Sequence, residues 1–414
     1  MQFADFHLHS SYSRATSKNI TLAEMARNAK IKGLDILGTG DFTHPLWIKE
    51  LEKKLVEDNG IYKYDDVNFV LSGEISLVYT QGGKGRRIHH VLLAPDFGTV
   101  DQINEFLDKK GRRDYDGRPI FGFSSIELVE VMMSISKEIM VIPAHCMTPW
   151  FGIFGSMSGF DSLEECFHDK TKHIYAVETG LSADPEMLWR ISKLDKIALV
   201  SFSDAHSLHP HRLGREVSVF DLKEMNYKNI TDAIKNREIK FTYEVNPSYG
   251  KYHFDGHRNC NFSCSPSDSK KLGNICPRCG NKLTIGVLNR VEELADRPEG
   301  YKPKGVPDFK SLLPLIELIA LHYGQAVFSK KVFAMYNSFI EKFGNEFNIM
   351  LNIERKELAK IDEKLSDLII KNREGKIHVV PGYDGVYGKP VLSDRIIRNE
   401  ISHIKKKQKS ISDF

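Results

Sequence analysis

The chain has 414 residues, 41% of them apolar and 27% charged, with a formal net charge of +3. That length exceeds one ordinary core and predicts two or three domains, while so small a net charge does not by itself point to nucleic acid. No run of roughly 18 consecutive apolar residues is present, so no membrane-spanning helix is predicted.

In chain order, the first element is a buried strand, Phe3 to Leu8, carrying His7 and leading to His9. A strand so close to Met1 leaves no room for a signal peptide and predicts a cytoplasmic protein. Thr21 with Glu24 forms a capping box, and Leu22, Met25, Ala26 and Ala29 supply the apolar stripe of the helix it opens. A strand from Leu34 to Leu37 leads through Thr39 to Asp41, and a helix around Trp47 to Val56 comes next. Two strands, Asn68 to Tyr79 and Arg86 to Ala94, then flank a hairpin loop at Gln81–Gly85. Further strands start at Ile139, Ile174, Ile197 and Val217, alternating with helices up to about Tyr243. Near-continuous apolar strands with crossover helices predict an α/β barrel over residues 1–245.

Past Asn246 the texture changes to short polar loops bearing four of the six cysteines, which defines a module at 246–286. Residues 287–404 read as mostly helical, with prolines at 298, 303 and 307, and a tail at 405–414 is expected to be disordered. The remaining cysteines, Cys146 and Cys166, stand alone. This distribution suits a reducing compartment and a bound metal better than a disulfide framework.

Four apolar runs end in His or Asp: at His7 and His9, at Asp41, at His145, and at Asp204 and His206. One histidine on an apolar strand is usually a satisfied core residue. The set is different, because His7 and His9 stand at i,i+2 and point the same way, and Asp204 and His206 repeat that spacing. Imidazoles and carboxylates gathered at strand ends on one face of a barrel predict a divalent-metal site. Cys260, Cys264, Cys276 and Cys279 have the spacing of a structural zinc site with four thiolates, where Gly280 permits the turn beneath the sulfurs.

These motifs resemble the PHP (polymerase and histidinol phosphatase) family of metal-dependent phosphoesterases, a distorted seven-stranded β/α barrel. His7-Leu-His9 stands for its first motif, Thr39-Gly-Asp41 for its second, and His145 and Asp204-Ala-His206 for its third and fourth. Glu74 after Gly73 is similar to its bridging glutamate, and His90, followed by aliphatics, to its next strand histidine. The resemblance implies one ion on His7, His9, Glu74 and Asp204, a second on Glu74, His90 and His145, and a third on Asp41 and His206, with Asp204, Glu74 and Asp41 as the catalytic carboxylates. The ions would be Zn, Mn or Mg. The family's extra histidine after the first motif is missing from Ser10–Thr16, and His44 is the nearest substitute.

The whole layout of barrel, four-cysteine zinc module and helical domain resembles one branch of that family, endonuclease Q. Stretches such as Pro149-Trp-Phe-Gly-Ile-Phe-Gly155 and Val177-Glu-Thr-Gly-Leu-Ser182 carry the likeness. It implies incision of double-stranded DNA 5′ of deaminated bases or abasic sites, and a nucleoid-associated location. A stacked base cannot be inspected inside a duplex, so the target must be extruded; Trp150, Phe151, Phe154 and Ser156 are the expected pocket residues. Gln408, Ile411 and Phe414 resemble the peptide that docks on the sliding clamp PCNA. A small-molecule phosphatase, a non-catalytic DNA- or clamp-binding scaffold and a polymerase-type exonuclease are the competing readings.

Overall fold

The computed structural model of the chain describes residues 1–391. Short apolar runs, buried on both faces, form β1 (Gln2–Asp5), β2 (Ile36–Gly38), β3 (Val67–Gln81), β4 (Lys84–Ala94), β5 (Met140–Pro143), β6 (Ala176–Glu178) and β7 (Ala198–Val200). β1, β2 and β3 pair in parallel, β4 runs antiparallel to both β3 and β5, and β6 pairs in parallel with β7. β6 lies beside β5, where the Cys146 amide donates to the Glu178 carbonyl (2.8 Å). The ring closes where Leu8, just past β1, bridges Ala205, just past β7. Seven strands therefore make the expected α/β barrel, and the antiparallel β4 is its distortion.

The expected hairpin loop tightens to a Gly82-Gly83 turn, since Gln81 pairs with Lys84. β8 (Val217–Phe220) and β9 (Phe241–Glu244) extend the sheet antiparallel from β1, and β10 (Asp308–Ser311) adds in parallel to β9. A strand from the region read as mostly helical thus joins the barrel's own sheet. Helix α1 (Leu22–Lys32) buries the four predicted apolar residues and is capped by the Thr21 hydroxyl. The Glu24 carboxylate does not complete the box; it engages Arg27 (2.6 Å). Helix α2 (Pro45–Lys54) is capped by His44.

Past the barrel, the Asp255–His257 and Phe262–Cys264 strands form a small antiparallel hairpin over a core that includes Phe262 and Leu283. Helix α3 (Val287–Leu294) packs on the barrel: Val287 and Val291 enter its core, and Arg290 Nε donates to the Phe154 carbonyl (3.0 Å). Helices α4 (Leu315–Tyr323), α5 (Lys330–Phe343), α6 (Glu346–Leu351) and α7 (Glu363–Arg373) bury a separate core around Ile319, Phe339 and Ile369. Between α1 and α6, buried Lys32 and Glu346 meet at 2.8 Å, and Glu346 also accepts from the Leu315 amide and the Tyr336 hydroxyl. No helix among the described residues is long and apolar enough to cross a membrane. Gln408, Ile411 and Phe414, with the rest of 392–414, lie outside the described residues.

Candidate metal centre

Where residues at or just past the ends of β1, β2, β5, β6 and β7 meet Glu74 and His89 in the middle of β3 and β4, the side chains are polar and mostly buried. His7 Nδ1 lies 2.9 and 3.0 Å from the two Glu178 oxygens, which leaves Nε2 3.3 Å from Glu74 Oε2 and 3.5 Å from Asp204 Oδ1. His9 repeats the device: Nδ1 lies 2.9 Å from Asp41 Oδ1, and Nε2 3.2 Å from both Glu74 Oε2 and Asp204 Oδ1. A carboxylate behind each Nδ1 fixes the tautomer and aims Nε2 inward, as at imidazole-ligated metals.

Among the described residues, ligand atoms of His7, His9, Glu74 and Asp204 lie within 4.8 Å of one another, as do those of Glu74, His89 and His145. Glu74 belongs to both groups. Its Oε2 faces His7 and His9, while Oε1 stands 2.7 Å from His89 Nδ1 and 3.5 Å from His145 Nε2. Inside this nest, His7 Nε2 and Glu74 Oε1 are buried and, close as their neighbours stand, meet none of them at a hydrogen-bonding angle, which suits groups that converge on a cation. Burial opposes ionisation throughout. Even so, His89, Arg118 and His7 hold the Glu74 carboxyl well below its ordinary range, and His7, His9 and His206 do the same for Asp204. Burial is again opposed, and overcome, at His7, which Glu178, Glu74 and Asp204 raise well above the imidazole range. His89 is different: burial outweighs the pull of Glu74 and pushes it down to about 4.

Three site residues, Asp41, His145 and Asp204, have φ of 47°, 29° and 47°, a strained region for residues with a side chain. The surroundings enforce it. Asp5 accepts from the Ser203 and Gly214 amides (3.0 and 3.1 Å), Arg215 donates to the Ser203 carbonyl, and Glu178 accepts from the His145 amide (2.6 Å). Gly117 lies so close to Asp41 that a Cβ there would sit 2.2 Å from Oδ2, so only glycine fits. Asp204 and His206, each 31% exposed, form the open rim.

Several expected positions are corrected. The second group contains His89 and not His90. In the β3–β4 register, Glu74 faces Val91, which puts His89 on the same side of the sheet; His90 pairs with Ile75 and points away, where its Nε2 meets Ser125 Oγ at 2.8 Å. Asp41 is not shared with His206: its Oδ1 meets His9, and its Oδ2 accepts from the Ser10 amide and hydroxyl and from Ser13 Oγ (2.6, 2.6 and 2.9 Å). It orients His9. His206 turns Nδ1 to the Asp204 carbonyl (3.0 Å), and His44 is a helix cap, so the pair expected for a third ion is split. Glu178 and Arg118 were missed. Arg118 Nη1 lies 3.0 Å from Glu74 Oε2, on a side chain 25% exposed. Glu178 is itself a carboxylate ending an apolar run, Ile174 to Val177, which was the available signal; Arg118, in a polar loop, gave none.

The expected base-pocket residues also separate. Trp150 lines a cavity of about 450 Å³ with Arg87, Thr80, Met157 and Ser158. Phe151 packs at a tilt on His89 (centroids 4.3 Å apart) and its carbonyl accepts from the His89 amide, so it braces a candidate ligand. Phe154 is buried in the barrel core, and Ser156 Oγ reaches the Ile285 carbonyl (3.4 Å); neither lines the cavity.

In the cysteine module, His257 joins Cys260, Cys276 and Cys279 in the third group close enough to hold an ion. Its Nδ1 lies 3.2 Å from Cys260 Sγ and 3.3 Å from Cys279 Sγ. Cys264, expected as the fourth ligand, is displaced by strand register: it pairs with Asp255, two residues along from His257, and packs in the module's core. One imidazole and three thiolates remain a recognised structural zinc set. Gly280, at φ 73°, makes the turn beneath Cys276.

The MJ0043 C-terminal domain family matches residues 314–376. Uncharacterized protein MJ0043 of Methanocaldococcus jannaschii is 40% identical over 250 residues, 59% of this chain and 31% of that protein, so the match spans about a third of that relative's length. The crystal structure of the lesion-specific endonuclease PfuEndoQ from Pyrococcus furiosus superposes with a TM-score of 0.86 at 33% identity, covering 99% of this chain and 100% of that one. Endonuclease Q in complex with a 27-mer duplex carrying an abasic lesion at the active site gives 0.86 and 34%, over 96% of this chain and 98% of that one. Sharing fold, length and a third of its residues with these structures, the chain belongs to the endonuclease Q family.

Proposed function

We propose that this chain is a DNA-repair endonuclease that hydrolyses the phosphodiester 5′ of a deaminated base or an abasic site. The observation that carries this reading is the double role of Glu74, one oxygen toward His7, His9 and Asp204 and the other toward His89 and His145. Two adjacent divalent ions, Zn, Mn or Mg, would supply Lewis-acid charge and an acidified water there. The chain's own groups do the rest. Asp204 closes the pocket at its solvent rim, where a phosphate enters. Arg118, held by Glu74 on a side chain 25% exposed, would offer its remaining guanidinium N–H groups to a phosphate oxygen. Glu178 and Asp41 hold His7 and His9 in orientation.

The cavity beside Trp150 lies two residues down β4 from His89, within a nucleotide's reach of the centre, and 450 Å³ is room for a base and sugar. Trp150 offers a stacking face and Arg87 hydrogen-bond donors to an extruded base. His257, Cys260, Cys276 and Cys279 would take one structural zinc. The Gln408–Phe414 sequence supports a clamp-docking peptide.

The test uses 5′-labelled duplexes carrying uracil, hypoxanthine, an abasic site or no lesion. One incision on the 5′ side of each lesion, lost in Asp204→Ala, is the expected result. Equal cutting of undamaged DNA would overturn the repair assignment, and a ladder of products would indicate an exonuclease.

A further inference from the structure

Phe328 is the most exposed aromatic side chain among the described residues, at 67%. It sits in the turn between α4 and α5, where apolar exposure brings no packing gain. Yet its ring is not loose. It packs edge-on against His209 (4.6 Å) and His211 (5.4 Å), and His209 in turn packs on Phe333 (5.1 Å). The two histidines belong to the loop that follows the metal-centre residues Asp204 and His206. His209 is three residues beyond His206, which three extended residues place within about 10 Å of the rim. Buried Arg215, in the same loop, donates two hydrogen bonds to the Ser203 carbonyl beside Asp204 (3.0 and 2.9 Å) and so fixes this loop to the site.

Around Phe328 the surface is cationic and aromatic. Lys330 and Lys331 begin α5, and Arg212, next after His211, bonds the side chain of Tyr387, whose ring Lys251 covers (4.6 Å). A braced aromatic amid lysines and arginines fits nucleic acid: the cations meet phosphates and the ring a base face. A duplex that loses one nucleotide to a pocket is left with a gap in its stack, and apolar wedges fill such gaps elsewhere.

Resting on the function proposed above, we propose that Phe328, braced by His209 and His211, inserts into the DNA stack at the position vacated by the extruded nucleotide. The ring replaces the stacking lost by the neighbouring pairs and keeps the lesion from returning. A single strand has no stack to hold open, so the residue matters for duplex substrate alone.

The test compares kcat/KM on a uracil-bearing duplex, on the same strand alone, and on a duplex with mismatches flanking the uracil. In Phe328→Ala, the duplex-to-single-strand ratio should fall about tenfold or more, Phe328→Trp should keep most of it, and the mismatched duplex should restore cutting. A ratio within twofold of the parent, or equal loss on both substrates, overturns the wedge. If the parent protein cuts neither substrate, the endonuclease reading itself fails and the wedge falls with it, a result distinct from a parent that cuts both and a variant whose ratio is unchanged.

Discussion

The adjacent histidines His89 and His90 show how one residue of strand register decides a side chain's role. Both are buried and both lie on β4, but alternate positions face opposite sides of the sheet, and Glu74 picks out the side of His89. Replacing His89 by Ala should therefore lower bound metal, read by elemental analysis, and reduce cleavage by about 100-fold or more. His90→Ala should keep metal and cleavage and lower stability by about 1–3 kcal/mol in denaturant titration, because a large buried ring is lost and Ser125 Oγ keeps only Tyr79 of its two buried partners. Most of the centre was legible in the sequence because its ligands end apolar runs: His7, His9, His145 and Asp204 needed only spacing. The doublet was not, since its parity depends on which residue of β3 lies opposite. Cys264 failed for the same reason, its place in the module being set by pairing with Asp255. Phe154 and Asp41 were read by residue type, and type does not say whether an aromatic meets the core or a carboxylate meets an imidazole.

Where β6, β7 and β9 come together, acids are buried behind the centre. Glu244, at the end of β9, accepts from Thr179 Oγ1 (3.1 Å) and Ser201 Oγ (3.0 Å), and Ser201 also reaches Glu216 (3.3 Å). Burial pushes Glu244 up to about 8, and burial and Glu244 raise Glu216 well above its ordinary range. A carboxyl whose pKa is raised on folding stabilises fully below its unfolded value of about 4.5 and loses that contribution as pH rises through the folded value. Stability should thus decline between about pH 4.5 and 8, on the order of a few kcal/mol. Glu244→Gln, which keeps an oxygen for Thr179 and Ser201, should flatten that decline in melting curves recorded across the range. A decline as steep as the parent's would show that Glu244 is not its source. The strands at Ile174 and Ile197 were plain in the sequence and that at Phe241 was not, nor was the apposition of these acids, because they meet only when distant strands close a ring.

Across the whole molecule, barrel and helical domain are tied at one buried ion pair. Lys32 and Glu346 are 2% and 0% exposed, and Glu346 has two further donors, so the pair is well satisfied. Removing one partner strands the other charge. Lys32→Ala should cost about 3–5 kcal/mol, whereas Lys32→Met with Glu346→Gln together should recover much of it, as measured by denaturant unfolding. Additive losses in the double variant would refute the coupling.

The single glutamate shared by two candidate ligand groups would also govern how the centre fills with cations. With a cation held by one group, the Glu74 oxygen facing the other would remain a buried carboxylate oxygen with no cation to offset its desolvation, an unfavourable state that a second cation would relieve. Loading would then be cooperative: protein starved of metal would divide into full and empty molecules, with half-filled ones scarce.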